Sequence, residues 1–264
     1  MALRSATINV MIAAAEKAAR GLKRDFGEIE HLQVSRKGPG DFVSAADVKT
    51  EKTLVAELSK ARPTFGFLLE EGGTKAGSDA DHRWIIDPID GTTNFLHGIP
   101  HFAISIALQH RDAIIAGVVL NPATDELYAA EKGQGAYLNN RRIRVSARTR
   151  MDDAVIGTGI PHKGRLDADG HKQFLGQLEK VMAATAGIRR AGTASLDLAY
   201  VASGRLDGFW ELGLQPWDMA AGVLLVREAG GFVTDAATDG DPLTTGNIAA
   251  ANPDLHAGLK GLIA

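Results

Sequence analysis

The chain contains no cysteine. Disulfide bridges, thiolate metal sites and thiol nucleophiles are therefore excluded, and any metal must take oxygen or histidine ligands. Long apolar runs are missing too. The longest, such as Met219 to Val226, reach only about a third of the length of a membrane-spanning helix. No charge sign dominates: 29 Lys and Arg stand against 32 Asp and Glu, for a formal net charge of −3. That leaves no broad basic field of the kind nonspecific nucleic-acid binding needs, and favours a small or locally steered ligand. Internal repeats and low-complexity tracts are absent. At the N-terminus, Arg4 and the apolar patch from Val10 to Ala15 imitate a secretory signal until Glu16, Lys17 and Arg20 break the pattern. The expectation is a cytoplasmic chain with no membrane segment.

What is present is enough chain, 264 residues, for one large domain or two halves sharing a substantial core. Ile8 to about Phe26 carries Ile12, Ala15, Ala19 and Leu22 at helical spacing, so an amphipathic first helix is expected. Ser35 to Gly40 reads as a loop, with two glycines, a proline and two basic residues. Asp47 then opens a second helix to about Leu58. Phe65 to Leu69 and Trp84 to Ile86 read as buried strands that end in acidic residues. Phe102 to Leu108, Ile114 to Leu120 and Leu127 to Ala130 read as antiparallel strands, followed by a hairpin over Tyr137 to Val145 that turns at Asn139 and Asn140. Beyond Met151, strands at Val155 to Gly159, Phe209 to Leu212, Phe232 to Thr234 and Ile248 to Ala251 alternate with helices near Gln173 to Ala186, Leu196 to Ala202 and from Trp217. The class expected is α+β or layered α/β in two parts, residues 1–150 and 151–264.

The chemistry concentrates in Trp84 to Phe95. Pro88 keeps the chain out of helix after Asp87, and Asp90 with Gly91 suits a tight turn into a helix near Thr92. Two carboxylates thus meet at a helix start, with the Ile89 carbonyl between them and the Gly91 and Thr92 amides turned toward any anion. A capped turn alone accounts for Pro and Asp-Gly in such a connection. It does not account for Glu70 and Glu71 at the end of the preceding strand, or for Asp218 and Glu211 in the second part. Glu70, Asp87, Asp90 and Asp218 together make an all-oxygen anionic cluster that calls for cations, magnesium before zinc. A zinc pair at His97 and His101 is disfavoured by Pro100 between them.

Asp87 to Phe95, Trp217 to Gly222 and the Glu70-Glu71 pair resemble the inositol monophosphatases in spacing as well as identity. The likeness spans nearly the whole chain, including Asp41 to Asp47 and Gly192 to Ala194. It implies an α-β-α-β-α sandwich of the sugar-phosphatase type, a homodimer, and two or three Mg²⁺ ions sensitive to competition by lithium. Metal ligands would be Glu70, Asp87, the Ile89 carbonyl, Asp90 and Asp218, with Asp47 near an outer metal. The catalytic set would be Glu70, Thr92 and Asp90, with Glu70 and Thr92 orienting the attacking water. Substrate contacts would come from Asp90, Gly91, Thr92, Gly192, Thr193, Ala194, Glu211 and Asp218. Arg189 and Arg190 precede the Gly192 turn, where relatives place an arginine at the subunit boundary or the pocket rim; solvated charge is the other reading.

The substrate implied is a phosphorylated polyol such as myo-inositol 1-phosphate. Fructose-1,6-bisphosphate, histidinol phosphate, NADP and adenosine 3′,5′-bisphosphate remain open, as does a role as a partner of RNA or the transcription machinery. Leu69 before Glu70, Gly72 and Gly73 after Glu71, and Gln215 and Pro216 before Trp217 depart from the pattern common in the family. These positions leave substrate preference undecided.

Overall fold

The computed structural model describes residues 5–28, 34–38, 41–161 and 166–264. Arg4 lies outside them. The first helix, α1 (Ala6–Gly27), begins where the Ser5 hydroxyl accepts the Ile8 amide at 3.1 Å. A two-stranded antiparallel ribbon follows, β1 (Val34–Gly38) with β2 (Asp41–Ser44), register Val34 to Ser44. This corrects the loop expected over Ser35 to Gly40, of which residues 39 and 40 lie outside the described part. An isolated ribbon pairs through its backbone and needs no apolar alternation, so its residues carried no strand signal. Helix α2 (Ala45–Ala61) starts two residues earlier than expected. Ser44 caps it, and Asp47 completes a reciprocal capping box at the third position.

An eight-stranded sheet is built next, from β3 (Phe65–Leu69), β4 (Gly73–Lys75), β5 (Asp79–Asp90), β6 (Ala103–His110), β7 (Ala113–Asn121), β8 (Glu126–Glu131), β9 (Gly135–Leu138) and β10 (Arg141–Ile143). Its order is β10-β9-β8-β7-β6-β5-β3-β4; β3 and β5 run parallel and the other neighbours antiparallel. A short helix, α3 (Thr92–Leu96), interrupts it after β5. The hairpin at Asn139 and Asn140 is present, both residues adopting the left-handed conformation that asparagine tolerates.

The second sheet has the order β12-β11-β13-β15-β14, from β11 (Val155–Thr158), β12 (Gly187–Arg189), β13 (Gly208–Glu211), β14 (Phe232–Asp235) and β15 (Ile248–Ala251). Around it lie α4 (Ala168–Ala184), α5 (Ala194–Ala202), α6 (Pro216–Glu228), α7 (Pro242–Thr245) and α8 (Pro253–Ile263). Strands β4 and β12 and helices α7 and α8 had not been expected.

Three apolar cores fill the four interfaces between five layers, the middle core serving two of them. Met11 and Leu22 of α1 and Leu54 of α2 pack on Trp84, Ile86, Ile104 and Ile106 on one face of the large sheet. Ile85 and Val119 point the other way, onto Leu198 of α5 and Leu225 of α6, whose far sides meet Phe209 and Ala250 of the small sheet. Trp210, Ala249 and Ala251 face outward to Phe174 and Val181 of α4 and to Leu255 and Leu259 of α8. Neighbouring strand residues thus feed different cores, as a two-residue period requires. The result is the α-β-α-β-α sandwich. The two middle-layer helices approach closely because Gly222 carries no side chain: a Cβ there would lie 2.6 Å from the Leu198 Cβ. Among the described residues no helix is long and apolar enough to cross a membrane.

Candidate active site

The parallel strands β3 and β5 deliver their carboxyl ends to one edge of the large sheet, the usual place for a crevice in such sheets. Glu70 follows β3, its amide donating to the Ile86 carbonyl at 3.2 Å. Toward its end β5 bulges: Asp87 pairs with Ser105 and Asp90 with Ala103, so one strand spends an extra residue. Pro88 is tolerated there because a bulge releases its missing ladder bond. The Asp87 carboxylate accepts the Ile89 amide at 2.9 Å. Gly91 then turns the chain into α3 with φ of 91°, a conformation costly for a side chain; a Cβ would also strike Thr193 Oγ1.

From the second sheet and the middle layer come the remaining groups. Asp90 Oδ2 accepts the Ser195 amide of α5 at 2.6 Å, a bond between residues far apart in sequence. Asn94 Nδ2 donates to the carbonyls of His101 at 2.7 Å and Ala191 at 2.9 Å, tying α3 to the turn before α5. Asp218 sits in the first turn of α6, its Oδ2 accepting the Gln215 amide at 2.8 Å. Thr92 Oγ1 lies 3.2 Å from Asp47 Oδ1 and 3.0 Å from the Ile89 carbonyl. Asp47 Oδ2 is held by the Ser44 amide and hydroxyl at 2.8 and 2.6 Å.

The groups these bonds position wall a cavity of about 170 Å³. Glu70, Asp87, Ile89, Asp90, Gly91, Thr92, Gly192, Ala194, Glu211 and Asp218 all line it, joined by Asn94, Gly159, Ile160 and Arg190. Its anionic character is severe. Burial pushes the Asp87 carboxyl well above its ordinary range, and Glu70, Asp90 and Asp218 add repulsion; Glu70 also shares a hydrogen bond with it. Burial likewise raises Asp90 to about 7 against the Ser195 hydrogen bonds, with Glu211 and Glu70 repelling it. Burial raises Asp47 as well. Among the described residues no three His, Cys, Asp or Glu side chains already enclose a metal-sized point. The donor set nonetheless fits a hard divalent cation. It consists of oxygens alone, and its carboxylates raise one another's proton affinity, a cost that a cation among them removes.

Ten of the residues expected at the site therefore share one cavity. Thr193 stands just behind the wall, its hydroxyl donating to the His101 carbonyl at 2.9 Å. Asp47 lies behind Thr92 rather than on the wall. The arginine on the wall is Arg190. Arg189 is not there: its Nη1 donates to the Ile188 carbonyl at 3.0 Å, and as the last residue of β12 it points to the side opposite its successor. Asn94 and Gly159 were not singled out from the sequence. Asn94 carried a signal in its place within the Asp87 to Phe95 stretch; Gly159, at the end of an apolar run, carried none.

The profile of the inositol monophosphatase family fits residues 3–264. An inositol-1-monophosphatase of Rhizobium meliloti is 60% identical over 260 residues, 98% of this chain and 97% of the relative. A protein named Nus factor SuhB from Pseudomonas aeruginosa is 47% identical, over 93% of this chain and 91% of the relative. The crystal structure of the extragenic suppressor protein suhB from Bartonella henselae superposes with a TM-score of 0.95 at 58% identity, each chain covered to 98%. The chain belongs to the inositol monophosphatase family.

Proposed function

We propose that this chain is a magnesium-dependent phosphatase that hydrolyses the phosphate monoester of a small polyol, myo-inositol 1-phosphate foremost. The observation that carries the reading is the single cavity where Glu70, Asp87, Asp90 and Asp218 meet Gly91, Thr92 and Glu211. Magnesium would be held by Glu70, Asp87, the Ile89 carbonyl, Asp90 and Asp218, and would supply charge neutralisation at the phosphate oxygens. Asp47 supports this from behind.

The chain's own groups divide the remaining work. The backbone at Gly91 and Thr92 offers amides to the phosphate oxygens, in a site where fixed dipoles are worth more than water. The Thr92 hydroxyl has one hydrogen, shared between Asp47 Oδ1 and the Ile89 carbonyl. Its lone pairs remain to accept a hydrogen bond from an attacking water, and Glu70 accepts the water's other hydrogen and takes that one proton as the oxygen, so aimed, attacks phosphorus. Asp90, fixed by the Ser195 amide, stands on the leaving-group side with Asp218. Glu211 accepts hydrogen bonds from polyol hydroxyls, and Arg190 brings positive charge to the same rim. Relatives at 54–60% identity are named inositol-1-monophosphatase, which supports the enzymatic reading; the name SuhB is carried by relatives at 42–47% and by the Bartonella henselae structure at 58%. A homodimer belongs to the same reading, by the family resemblance.

The test is a panel of phosphomonoesters with saturating magnesium. The highest kcat/KM is expected on inositol 1-phosphate, ahead of fructose-1,6-bisphosphate, histidinol phosphate, NADP and adenosine 3′,5′-bisphosphate. Preference for a nucleotide, or no hydrolysis of any of them, refutes the reading.

A further inference from the structure

We infer that Gly159 is a specificity-determining residue: the space left by its missing side chain seats the Glu211 carboxylate at the polyol end of the cavity. A Cβ built on Gly159 would lie 2.0 Å from Glu211 Cδ and 2.2 Å from each of its carboxylate oxygens. No side chain can occupy that space while the carboxylate does. The backbone does not ask for glycine here, since Gly159 is absent from the residues with positive φ. What asks for it is the carboxylate.

The pairing of strands explains the approach. Gly157 lies opposite Phe209 and Thr158 opposite Trp210 in the parallel pair β11 and β13. The next residues are Gly159, just past the end of β11, and Glu211, the last of β13, so the glutamate folds across the chain directly beside it. The clash an alanine would create is with the tip of a flexible side chain rather than with backbone. An added methyl group therefore moves Glu211 and leaves the sheet in place.

Retreat into the protein is closed. Two residues back on the same side, a Cβ on Gly157 would meet Leu206 Cδ1 at 2.8 Å, Phe209 Cδ2 at 3.2 Å and Asp197 Oδ1 at 3.7 Å. Asp197 is buried, and after burial itself the charge of Glu211 is the main influence holding its proton on. A charged carboxylate pressed toward it would lose its water against the apolar atoms of Leu206 and Phe209. The displaced Glu211 swings outward instead, into the volume a polyol needs. The chain thus accepts hydroxyl-bearing esters only with glycine at this position.

This inference rests on Glu211 meeting substrate hydroxyls, and the test separates the two. Wild type, Gly159→Ala, Glu211→Ala and the double variant are assayed at saturating magnesium. The readout is kcat/KM on inositol 1-phosphate divided by kcat/KM on p-nitrophenyl phosphate, beside the melting temperature of each protein. Gly159→Ala is expected to lower that ratio about five- to a hundredfold, as Glu211→Ala does, because a site built for hydroxyls loses its partner in both. In the Glu211→Ala background the same glycine change should add less than about twofold, the signature of two residues acting through one contact. A wild-type ratio in Gly159→Ala beside a lowered one in Glu211→Ala overturns the inference and leaves the reading of Glu211 standing. A ratio untouched by Glu211→Ala overturns that reading, and the inference with it. Equal losses from Gly159→Ala in both backgrounds also overturn it. Should Gly159→Ala melt lower, the double variant must recover the melting temperature; without recovery the clash lies elsewhere and the inference fails.

Discussion

Asp90→Asn in the metal-free protein isolates the cost of assembling the carboxylates. Asp90 ionises near 3.8 in an unfolded chain but holds its proton to about 7 in the folded one, burial being the first cause. Between those values the folded state binds more protons, so stability falls as pH rises, by up to about 1.4 kcal/mol per unit, and flattens above the folded value. Over the whole interval this single group removes roughly 4 kcal/mol, on the order of 10 °C of melting temperature for a chain this size. Asparagine cannot ionise, yet its carbonyl oxygen can keep the 2.6 Å bond from the Ser195 amide. The variant should therefore melt higher than wild type at pH 8 in a chelator, with a shallower decline between pH 5 and 7. Asp87, raised for the same reason, keeps some slope in both proteins. Saturating magnesium should flatten the wild-type curve, because a cation then does what the proton did. Scanning calorimetry at half-unit pH steps makes the comparison. Parallel curves for the two metal-free proteins would refute the argument.

Asp218→Asn should lower turnover by orders of magnitude at saturating magnesium with little change in melting temperature, since asparagine preserves the bond to the Gln215 amide while removing the charge; near-wild-type turnover in steady-state kinetics would remove Asp218 from the ligand set. Activity should vanish in a chelator, return with magnesium and fall again with excess magnesium or lithium, as read by phosphate release. Thr92→Val, nearly the same volume, should cut kcat by about 10²–10⁴ with KM little moved, because the hydroxyl between Asp47 and Ile89 orients water rather than substrate. Gly222→Ala, one turn beyond Asp218 on α6 and not on the cavity wall, should cost about 1–3 kcal/mol in denaturant unfolding by forcing α6 away from Leu198.

The elements that could be read from sequence are those whose burial is one-sided or complete. Ile8, Ile12, Ala15, Ala19 and Leu22 mark α1 because one face alone meets the core. The inner strands of the large sheet read as apolar runs because helices cover both faces. Strands β1 and β2 form a ribbon of their own, so no core imposes a pattern on them. Helix α8 does carry a start signal, Asn252 before Pro253, with Leu255, Leu259 and Ile263 at four-residue spacing. At 11 residues the signal is short, and the small residues between those leucines blur it.

The candidate site divides along the same physical line. Asp87, Ile89, Asp90, Gly91 and Thr92 are legible because a bulge, a left-handed glycine and a helix start are local events, written in consecutive residues. Convergence with Asp218 and Glu211 is not local: it depends on α6 and β13 reaching the cavity through the shared middle core, and the sequence offered for it only the chemistry of distant carboxylates and the family resemblance. Choosing Arg190 over Arg189 needed the end of β12, since adjacent residues face opposite sides and the strand's last position decides which one the cavity receives. Gly159 is the hardest case. In sequence a glycine after an apolar strand reads as a turn former, an explanation its backbone conformation removes. The actual constraint comes from a glutamate 52 residues away that occupies the place of a side chain, so the reason for the glycine exists only once β11 and β13 are paired.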